Sequence, residues 1–355
     1  MGYGLYLLFR SANAVLVLMA VVFVSSIIFS ASVEQELIAS IDEQIRGMLL
    51  EWDRTHPAAT EAERQNAIRI WREDLYRLHG LDQPYWVRVL FRARDVLTLN
   101  LGDATVMTSP TGSRNVLQII VEALPWTIML FTTATIIQIL LGLYLGLKAA
   151  QRVGGLLDRS VSVFAMFSSS LPMWWFGMLM ILALSYGLNL FPSGGKVSTP
   201  PPTDPLLYWL DVLKHMALPL LTIVFVSFGA WTYITRNIVV GTLQEDFVMA
   251  ARAKGLPERK VVYGHVLRSA SPPIVTMSIL SLLGSLGGAM ITESVFTWPG
   301  MGRLYWIALQ GGDVKVLLGL TFITTFLYLV ATVAVDLVYG FLDPRVKVGI
   351  TGKSR

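Results

Sequence analysis

Six long apolar stretches constrain the fold of this chain more than any other feature. Each runs for about 18 or more largely uncharged residues, enough for one helix to cross a hydrocarbon core of roughly 30 Å. A spanning segment finds no water in that core and must satisfy its own backbone hydrogen bonds, as a helix does. The sequence therefore predicts an all-α integral membrane protein with six transmembrane helices. The predicted spans lie near Ala14–Ala31, Pro125–Leu147, Val161–Tyr186, Met216–Thr235, Ile274–Ile291 and Val316–Phe341.

Residue usage agrees with a membrane protein and excludes several kinds of chemistry. The 355-residue chain is 54% hydrophobic and 15% charged, far from the usage of soluble domains. It has no cysteine, which excludes disulfides and thiolate chemistry, and its four histidines lie far apart without metal-ligand spacing. We therefore expect no catalytic site, metal or cofactor in this chain. Its net charge of +4 gives no reason to expect nucleic acid binding.

The basic residues indicate how the spans are oriented. With the N-terminus inside, the cytoplasmic pieces hold 14 lysines and arginines, and the two short external loops hold 4. Membrane proteins carry such an excess on the cytoplasmic side. The other 10 lie in the long segment after the first span, and long translocated segments do not follow this rule. Both termini are therefore expected in the cytoplasm.

The spans divide the chain into four regions. These are an N-terminal tail with the first span (1–31), an external segment (32–115), a five-helix core with a cytoplasmic loop at 236–272 (116–347), and a cytoplasmic tail (348–355). In the external segment, apolar residues recur at helical spacing over 37–52 and 68–78, which predicts two amphipathic helices. We expect them to pack on each other or on the outer membrane surface, with contact to an external protein as the alternative.

The polar stretch between the fourth and fifth spans contains helix start and stop signals. Thr242 and Glu245 fit a capping box, in which each residue bonds the backbone N–H of the other. Gly255 is placed to end the helix in a left-handed cap, and Pro257 bars its continuation. The sequence therefore predicts a helix over 242–254.

This predicted helix has the chemistry of a docking element. Phe247, Ala250 and Ala251 fall on one face and offer a small, shallow apolar surface beside positive charge. A loop that only connects two spans needs no such shape. We interpret the segment as a contact for another protein.

Four ordered sequence blocks resemble the permeases of ABC importers, specifically the dipeptide/oligopeptide group. The blocks are LNLGDA at Leu99–Ala104, AARAKG at Ala250–Gly255, ITESVFTWPGMGRL at Ile291–Leu304 and FLDPRVK at Phe341–Lys347. The chain departs from the general permease pattern at Met249, where that pattern has Glu, and at Arg268, where it has Pro. The peptide-type branch often lacks the Glu.

The resemblance implies a type I ABC importer permease fold in the cell membrane and a set of partners. These are a second, homologous permease subunit, two ATPase subunits that bind ATP and Mg, an external substrate-binding protein and the lipid bilayer. The chain itself would have no ATPase site. Its end, TGKSR, looks like part of a phosphate-binding loop, but Lys347 stands where the first glycine is required.

The resemblance also implies roles for two groups of residues. The first would form the ATPase-coupling loop, and the second would lie by the external mouth of the pathway, as a gate or receptor contact or as a purely structural turn. The coupling-loop residues are Glu245, Asp246, Phe247, Ala250, Ala251, Arg252, Lys254, Gly255 and Arg259. The external residues are Glu293, Phe296, Trp298, Pro299, Gly300, Gly302 and Arg303, and we expect Phe296 and Trp298 to dip into the outer membrane interface.

Several functions stay open at this point. The group that the chain resembles carries peptides, oligosaccharides or nickel, and we expect peptides. A self-contained secondary transporter or channel is the alternative of a different class, and it would usually show ion-coupling charges or internal repeats. We expect Asp336, late in the sixth span, to pair with a basic group or face the bundle interior, rather than couple an ion.

Overall fold

The structure, a computed structural model, describes residues 3–342 and is built from helices. It contains no β-strand within this range, only an isolated bridge between Asp103 and Asn115. The tail 348–355 and most of the FLDPRVK motif lie outside the described residues. The helices are α1 (Tyr3–Thr55), α2 (Glu61–Leu78), α3 (Tyr85–Leu97), α4 (Val116–Ala150), α5 (Leu156–Ser169), α6 (Met173–Met180), α7 (Pro205–Leu243), α8 (Asp246–Ala253), α9 (Glu258–Lys260), α10 (Leu267–Gly284), α11 (Met290–Val295), α12 (Met301–Gly311) and α13 (Val314–Leu342). Two π-helical stretches extend this set, Ile181–Gly187 after α6 and Val261–Val266 between α9 and α10.

Five helical segments of the described chain are long and apolar enough to cross a membrane. They are Leu5–Thr55, Val116–Ala150, Pro205–Leu243, Glu258–Gly287 and Val314–Leu337. A sixth is reached if α5 and α6 with its π-helical extension count as one span, although these two halves meet at an angle of 97°. The chain is therefore a multi-pass helical membrane protein, as its apolar stretches predict.

The third apolar stretch breaks into two helices at Pro172. Pro172 precedes α6 in an extended conformation (φ −60°, ψ 124°), and α5 ends at Ser169. A proline has no N–H to continue the helical ladder and clashes with the preceding turn. The sequence predicts a kink at this residue, and the structure has a sharp break.

Several helices extend well beyond the apolar stretches that reveal them. Helix α1 continues for 53 residues through the predicted first boundary at residue 31, and the predicted amphipathic stretch 37–52 is its second half. Helix α7 begins at Pro205, where Asp204 Oδ1 accepts a hydrogen bond from Leu207 N at 3.0 Å. Hydrophobicity marks the part of a helix that lies in lipid, whereas caps determine where the helix ends.

The chain divides into two compact units. The first contains the start of α1, Val121–Ile307 and the second half of α13. In it, Asp158 on α5 receives two hydrogen bonds from Arg236 on α7, at 2.7 and 2.8 Å. Asp336 pairs with Arg10, which is the first of the two predicted alternatives for this residue.

The second unit contains Val15–Ile120 and Ala308–Thr325. Ion pairs hold two helices of this unit on α1: Arg72 of α2 bonds Asp42 at 3.0 Å, and Arg88 of α3 bonds Glu34 at 2.9 Å. Helix α2 confirms the predicted amphipathic stretch 68–78, and α3 is not predicted from the sequence.

Close helix packing in the first unit depends on glycine. A Cβ added at Gly146 on α4 would lie 2.7 Å from Thr235 Cβ on α7, and one at Gly229 on α7 would lie 2.6 Å from Ser168 Oγ on α5. Small residues at such points let membrane helices approach closely, and this packing contributes much of their association energy.

We predict opposite effects of Gly→Ala at two helical glycines. Gly146→Ala should destabilise the protein by about 1–3 kcal/mol, because the new methyl group overlaps Thr235. Gly241→Ala, in α7 with nothing within 4 Å of the added Cβ, should be neutral or stabilising by up to about 1 kcal/mol. Thermal unfolding of both variants in the same detergent measures the difference. Equal unfolding midpoints for the two variants would contradict the close packing of Gly146 against Thr235.

Candidate docking helix and buried Glu293 turn

Helix α8 is a separate short helix rather than part of a longer one beginning at Thr242. Thr242 lies inside α7, where its hydroxyl donates to Ile238 O at 2.9 Å. The first residue before α8 is Glu245, which makes no side-chain cap. The predicted capping box is therefore wrong. A threonine hydroxyl can bond the carbonyl four residues back, and Thr242 makes this bond within α7, which continues to Leu243.

The end of α8 is built as the sequence predicts. Gly255 has a φ of +74°, and its N–H donates to Arg252 O at 2.9 Å. The N–H of Leu256 donates to Ala251 O at 3.4 Å, which completes a Schellman motif. Pro257 then precedes α9.

An ion pair crosses this turn. Arg252 Nη2 lies 2.7 Å from Glu258 Oε1, and Arg252 Nε lies 3.2 Å from Glu258 Oε2. A planar guanidinium that meets a carboxylate through two bonds fixes the relative orientation of its two helices. The pair therefore holds the end of α8 against the start of α9.

The inner face of α8 packs on the ends of neighbouring helices. Val248 is fully buried and Ala251 is 6% exposed. They belong to one apolar cluster with residues of α4, α7, the second π-helical stretch and α10, namely Leu147, Ala150, Val239, Val261, Val266, Ala270 and Ile274. The prediction that Ala251 shares an exposed face with Phe247 and Ala250 is therefore wrong.

The outer face of α8 combines apolar and charged groups. Phe247 is 41% exposed, and Ala250 is exposed beside it. Lys254 and Arg259 are exposed at the C-terminal end. Glu245 and Asp246 are exposed at the N-terminal end, where negative charge is favourable to the helix dipole. This face is a shallow apolar surface between two charged rims.

The second group of predicted residues forms a turn around a buried carboxyl. Glu293 on α11 is fully buried. Its Oε1 accepts a hydrogen bond from Thr127 Oγ1 of α4 at 3.1 Å, and its Oε2 accepts one from the Arg303 N–H at 3.1 Å. Thr127 Oγ1 also accepts the Met301 N–H at 2.7 Å. These bonds tie α11, α12 and α4 together.

Glycines allow the turn to close around this carboxyl. A Cβ added at Gly288 or Gly300 would overlap a Glu293 carboxyl oxygen, and one at Gly302 would lie 2.8 Å from the Ala289 carbonyl carbon. Gly288 also has a φ of +66°, a conformation that side chains rarely adopt. Close approach thus requires the two glycines of the PGMG sequence, Gly300 and Gly302, whereas Gly288 is required by both close approach and backbone conformation.

The aromatic residues of the turn are core residues. Phe296 is 1% exposed and Trp298 is fully buried, so the prediction that they dip into the outer interface is wrong. Trp298 Nε1 donates to Trp126 O at 2.9 Å, and Phe296 O accepts the Gly195 N–H at 2.9 Å. The sequence pattern identifies an amphipathic aromatic residue but not the partner that satisfies its polar atom.

Arg303 and Pro299 are the more accessible members of the group. Both are half-buried, and Arg303 Nη1 lies 3.5 Å from Thr297 O. Sequence reasoning missed Thr127 and Trp126, which lie on α4 far from the turn in sequence. Nothing in the local pattern around them identifies them as partners.

Burial changes the acidity of Glu293. It raises the pKa of this carboxyl from its ordinary value of 4.5 to about 7, although the hydrogen bonds from Arg303 N–H and Thr127 lower it. No group of three or more His, Asp or Glu side chains that could hold a metal ion occurs in the described part of the chain. The site therefore offers hydrogen bonding and one proton near neutral pH.

We predict a pH-dependent stability difference between the wild type and Glu293→Gln. Between about pH 4.5 and 7 the unfolded chain loses the Glu293 proton while the folded chain keeps it, so wild-type stability falls as pH rises. Relative to Glu293→Gln, the free energy of unfolding of the wild type should fall by on the order of 3 kcal/mol over this range and should level off above pH 7. Thermal unfolding of both proteins across this range measures it. A difference that does not change with pH would contradict the raised pKa.

Comparison with known proteins places the chain in a family. The family described as "Binding-protein-dependent transport system inner membrane component" matches residues 138–348, more than half of the chain. The chain is 33% identical to the probable D,D-dipeptide transport system permease protein DdpB of Escherichia coli, over 77% of this chain and 84% of that protein. It is 31% identical to the dipeptide transport system permease protein DppB of Escherichia coli, over 76% and 83%. It is 28% identical to the oligopeptide transport system permease protein AppB of Bacillus subtilis, over 78% and 85%. The chain belongs to the family of inner-membrane components of binding-protein-dependent transport systems.

Proposed function

We propose that this chain is a permease subunit of an ATP-driven importer and forms half of the translocation path for peptides. The observation that carries the proposal is α8, a capped helix that buries one face on the ends of the spans and exposes an apolar face with charged rims. Such a surface is suited to insertion into a groove on a partner protein. The peptide-transport relatives supply the class of cargo.

The proposed topology has six spans with both termini in the cytoplasm. It counts α5 and α6 as one broken span. The 14 basic residues expected inside, against 4 in short external loops, support this orientation. It places α8 in the cytoplasm, and the segment 32–115 and the Glu293 turn outside.

The proposed assembly contains the partners that a permease of this kind requires. ATP and Mg bind to two ATPase subunits, one of which receives α8. A second, homologous permease subunit completes the path, and an external substrate-binding protein delivers the cargo. No cofactor is bound by this chain, and it hydrolyses no ATP.

Force would pass from the ATPase to the spans through the inner face of α8. Because Val248 and Ala251 pack against α4, α7 and α10, a displacement of α8 moves the ends of these helices with it. Packed interfaces move as units rather than deforming continuously, which favours alternation between two access states.

The Glu293 turn would shape the external end of the path. Its bonds to Thr127 and its aromatic core make it move together with α4. The accessible Arg303 and Pro299 are the proposed contacts for the gate or receptor. A turn that only connects two helices is the alternative reading.

The acidic residues of the spans are less consistent with a secondary transporter than with the proposed importer subunit. Such a transporter would use intramembrane acidic groups to couple ions. Asp158 is paired with Arg236, and Asp336 with Arg10, so each already has a counter-charge.

Uptake by the reconstituted complex tests the proposed cargo. Proteoliposomes with the partner ATPases, the second permease and the binding protein should accumulate short peptides when ATP is present. Oligosaccharides and nickel, tested in parallel, should neither accumulate nor compete. Accumulation of either one without peptide uptake would refute the peptide assignment, and ATP-independent uptake would refute the importer class.

We predict that Ala250→Glu uncouples transport without unfolding the chain. Ala250 is exposed, so the charge should leave the thermal unfolding midpoint unchanged but block docking of α8. Ala251→Glu should lower the midpoint, since it buries an unpaired charge. Gly255→Val, at a φ of +74°, should cost about 1–2 kcal/mol and distort the end of α8.

The control is Ala62→Glu, at an exposed alanine of α2 outside the loop, which should retain normal activity. Substrate-stimulated ATPase activity and the unfolding midpoint are measured for each variant. Full stimulation in Ala250→Glu would contradict the docking role of this face.

A further inference from the structure

Helix α3 exposes a continuous apolar and aromatic face that no described residue covers. Trp86 is 60% exposed, Leu90 57% and Phe91 52%, whereas Val89, Ala93 and Val96 of the same helix are buried. Large exposed apolar patches mark contacts with protein or lipid. The position of α3 along α1 decides between them.

Two side chains fix α3 at one level of α1. Arg88 bonds the Glu34 carboxylate at 2.9 and 3.1 Å, and Arg92 Nη1 donates to Ser30 Oγ at 2.8 Å. Glu34 is the first charged residue of α1 after Arg10, so the uncharged run of α1 ends at this level. An uncharged run of this length fills the hydrocarbon core.

Helix α13 also reaches the end of its uncharged run beside this part of α1. Val33 of α1 packs against Val314 and Leu318 of α13. Lys315 is the last charged residue of α13 before an uncharged run that continues to Val335. Two spans of this unit thus pass from polar to apolar sequence where α3 is attached.

We propose that α3 lies in the membrane interface, with Trp86, Leu90 and Phe91 inserted among the lipids. Tryptophan is enriched at this depth because its ring is apolar and its N–H is polar. Exposed Arg94, one turn after Leu90, extends its charge toward the headgroups while its stem covers apolar surface. Interfacial helices with this division of apolar and basic residues bind lipid surfaces.

Helix α2 provides a matched control within the same unit. Its ion pairs reach Asp42 and Asp53 of α1, 8 and 19 residues beyond Glu34. At about 1.5 Å per residue these pairs lie roughly 12 and 28 Å farther along α1. Ile70, between the two paired arginines of α2, is 44% exposed and should stay in water.

Spin labels test the proposal, because the chain has no cysteine of its own. Single cysteines replace Trp86, Leu90 and Ile70 in the full complex, with partner subunits free of reactive cysteine, in liposomes of phosphatidylcholine and phosphatidylglycerol. Each label is then exposed to oxygen, which concentrates in lipid, and to a neutral nickel chelate, which stays in water. The ratio of oxygen to nickel accessibility should be several-fold higher at positions 86 and 90 than at 70.

Two other outcomes would overturn the proposal. Nickel accessibility at positions 86 and 90 equal to that at 70 would place α3 in water. Low accessibility to both reagents at positions 86 and 90 would mean that a protein covers this face. Two independent sites keep the test decisive if one substitution prevents assembly.

Discussion

The packing of Val248 and Ala251 against the ends of α4, α7 and α10 is the interaction on which the account of this protein depends. A fully buried valine contributes about 1.5–3 kcal/mol, enough to keep a short helix seated that would not be stable alone. The Schellman motif and the Arg252–Glu258 pair fix where the helix ends. Its outer face is therefore held in one orientation, which suits the proposed docking to a partner protein.

A second constraint operates at the other candidate site. Burying a carboxyl without a cationic partner is costly, and the structure offsets that cost with hydrogen-bond donors from Thr127 and the Arg303 backbone. Gly288, Gly300 and Gly302 are small enough to let these donors approach. The arrangement explains a polar group amid buried aromatics without invoking catalysis.

The sequence predicts this protein well where long apolar runs or backbone-restricting residues decide the structure. Membrane spans, the break at Pro172 and the left-handed Gly255 are of this kind. The sequence misplaces the start of α8 because a threonine hydroxyl can cap a helix or bond back within one, and a capping box is found instead at Thr60 before α2. Helix α3 is not predicted from the sequence because arginines interrupt its apolar period. The contact of Glu293 with Thr127, 166 residues apart, leaves no local pattern.

We expect the proposed docking helix α8 and the segment 32–115 to face opposite sides of the membrane. Single cysteines at Asp82, Ser198 and Lys260, all exposed positions in a chain without cysteine, can be treated with a membrane-impermeant thiol reagent in intact cells. We predict labelling at positions 82 and 198, and labelling at 260 only after the membrane is permeabilised. Labelling of position 260 in intact cells would contradict it.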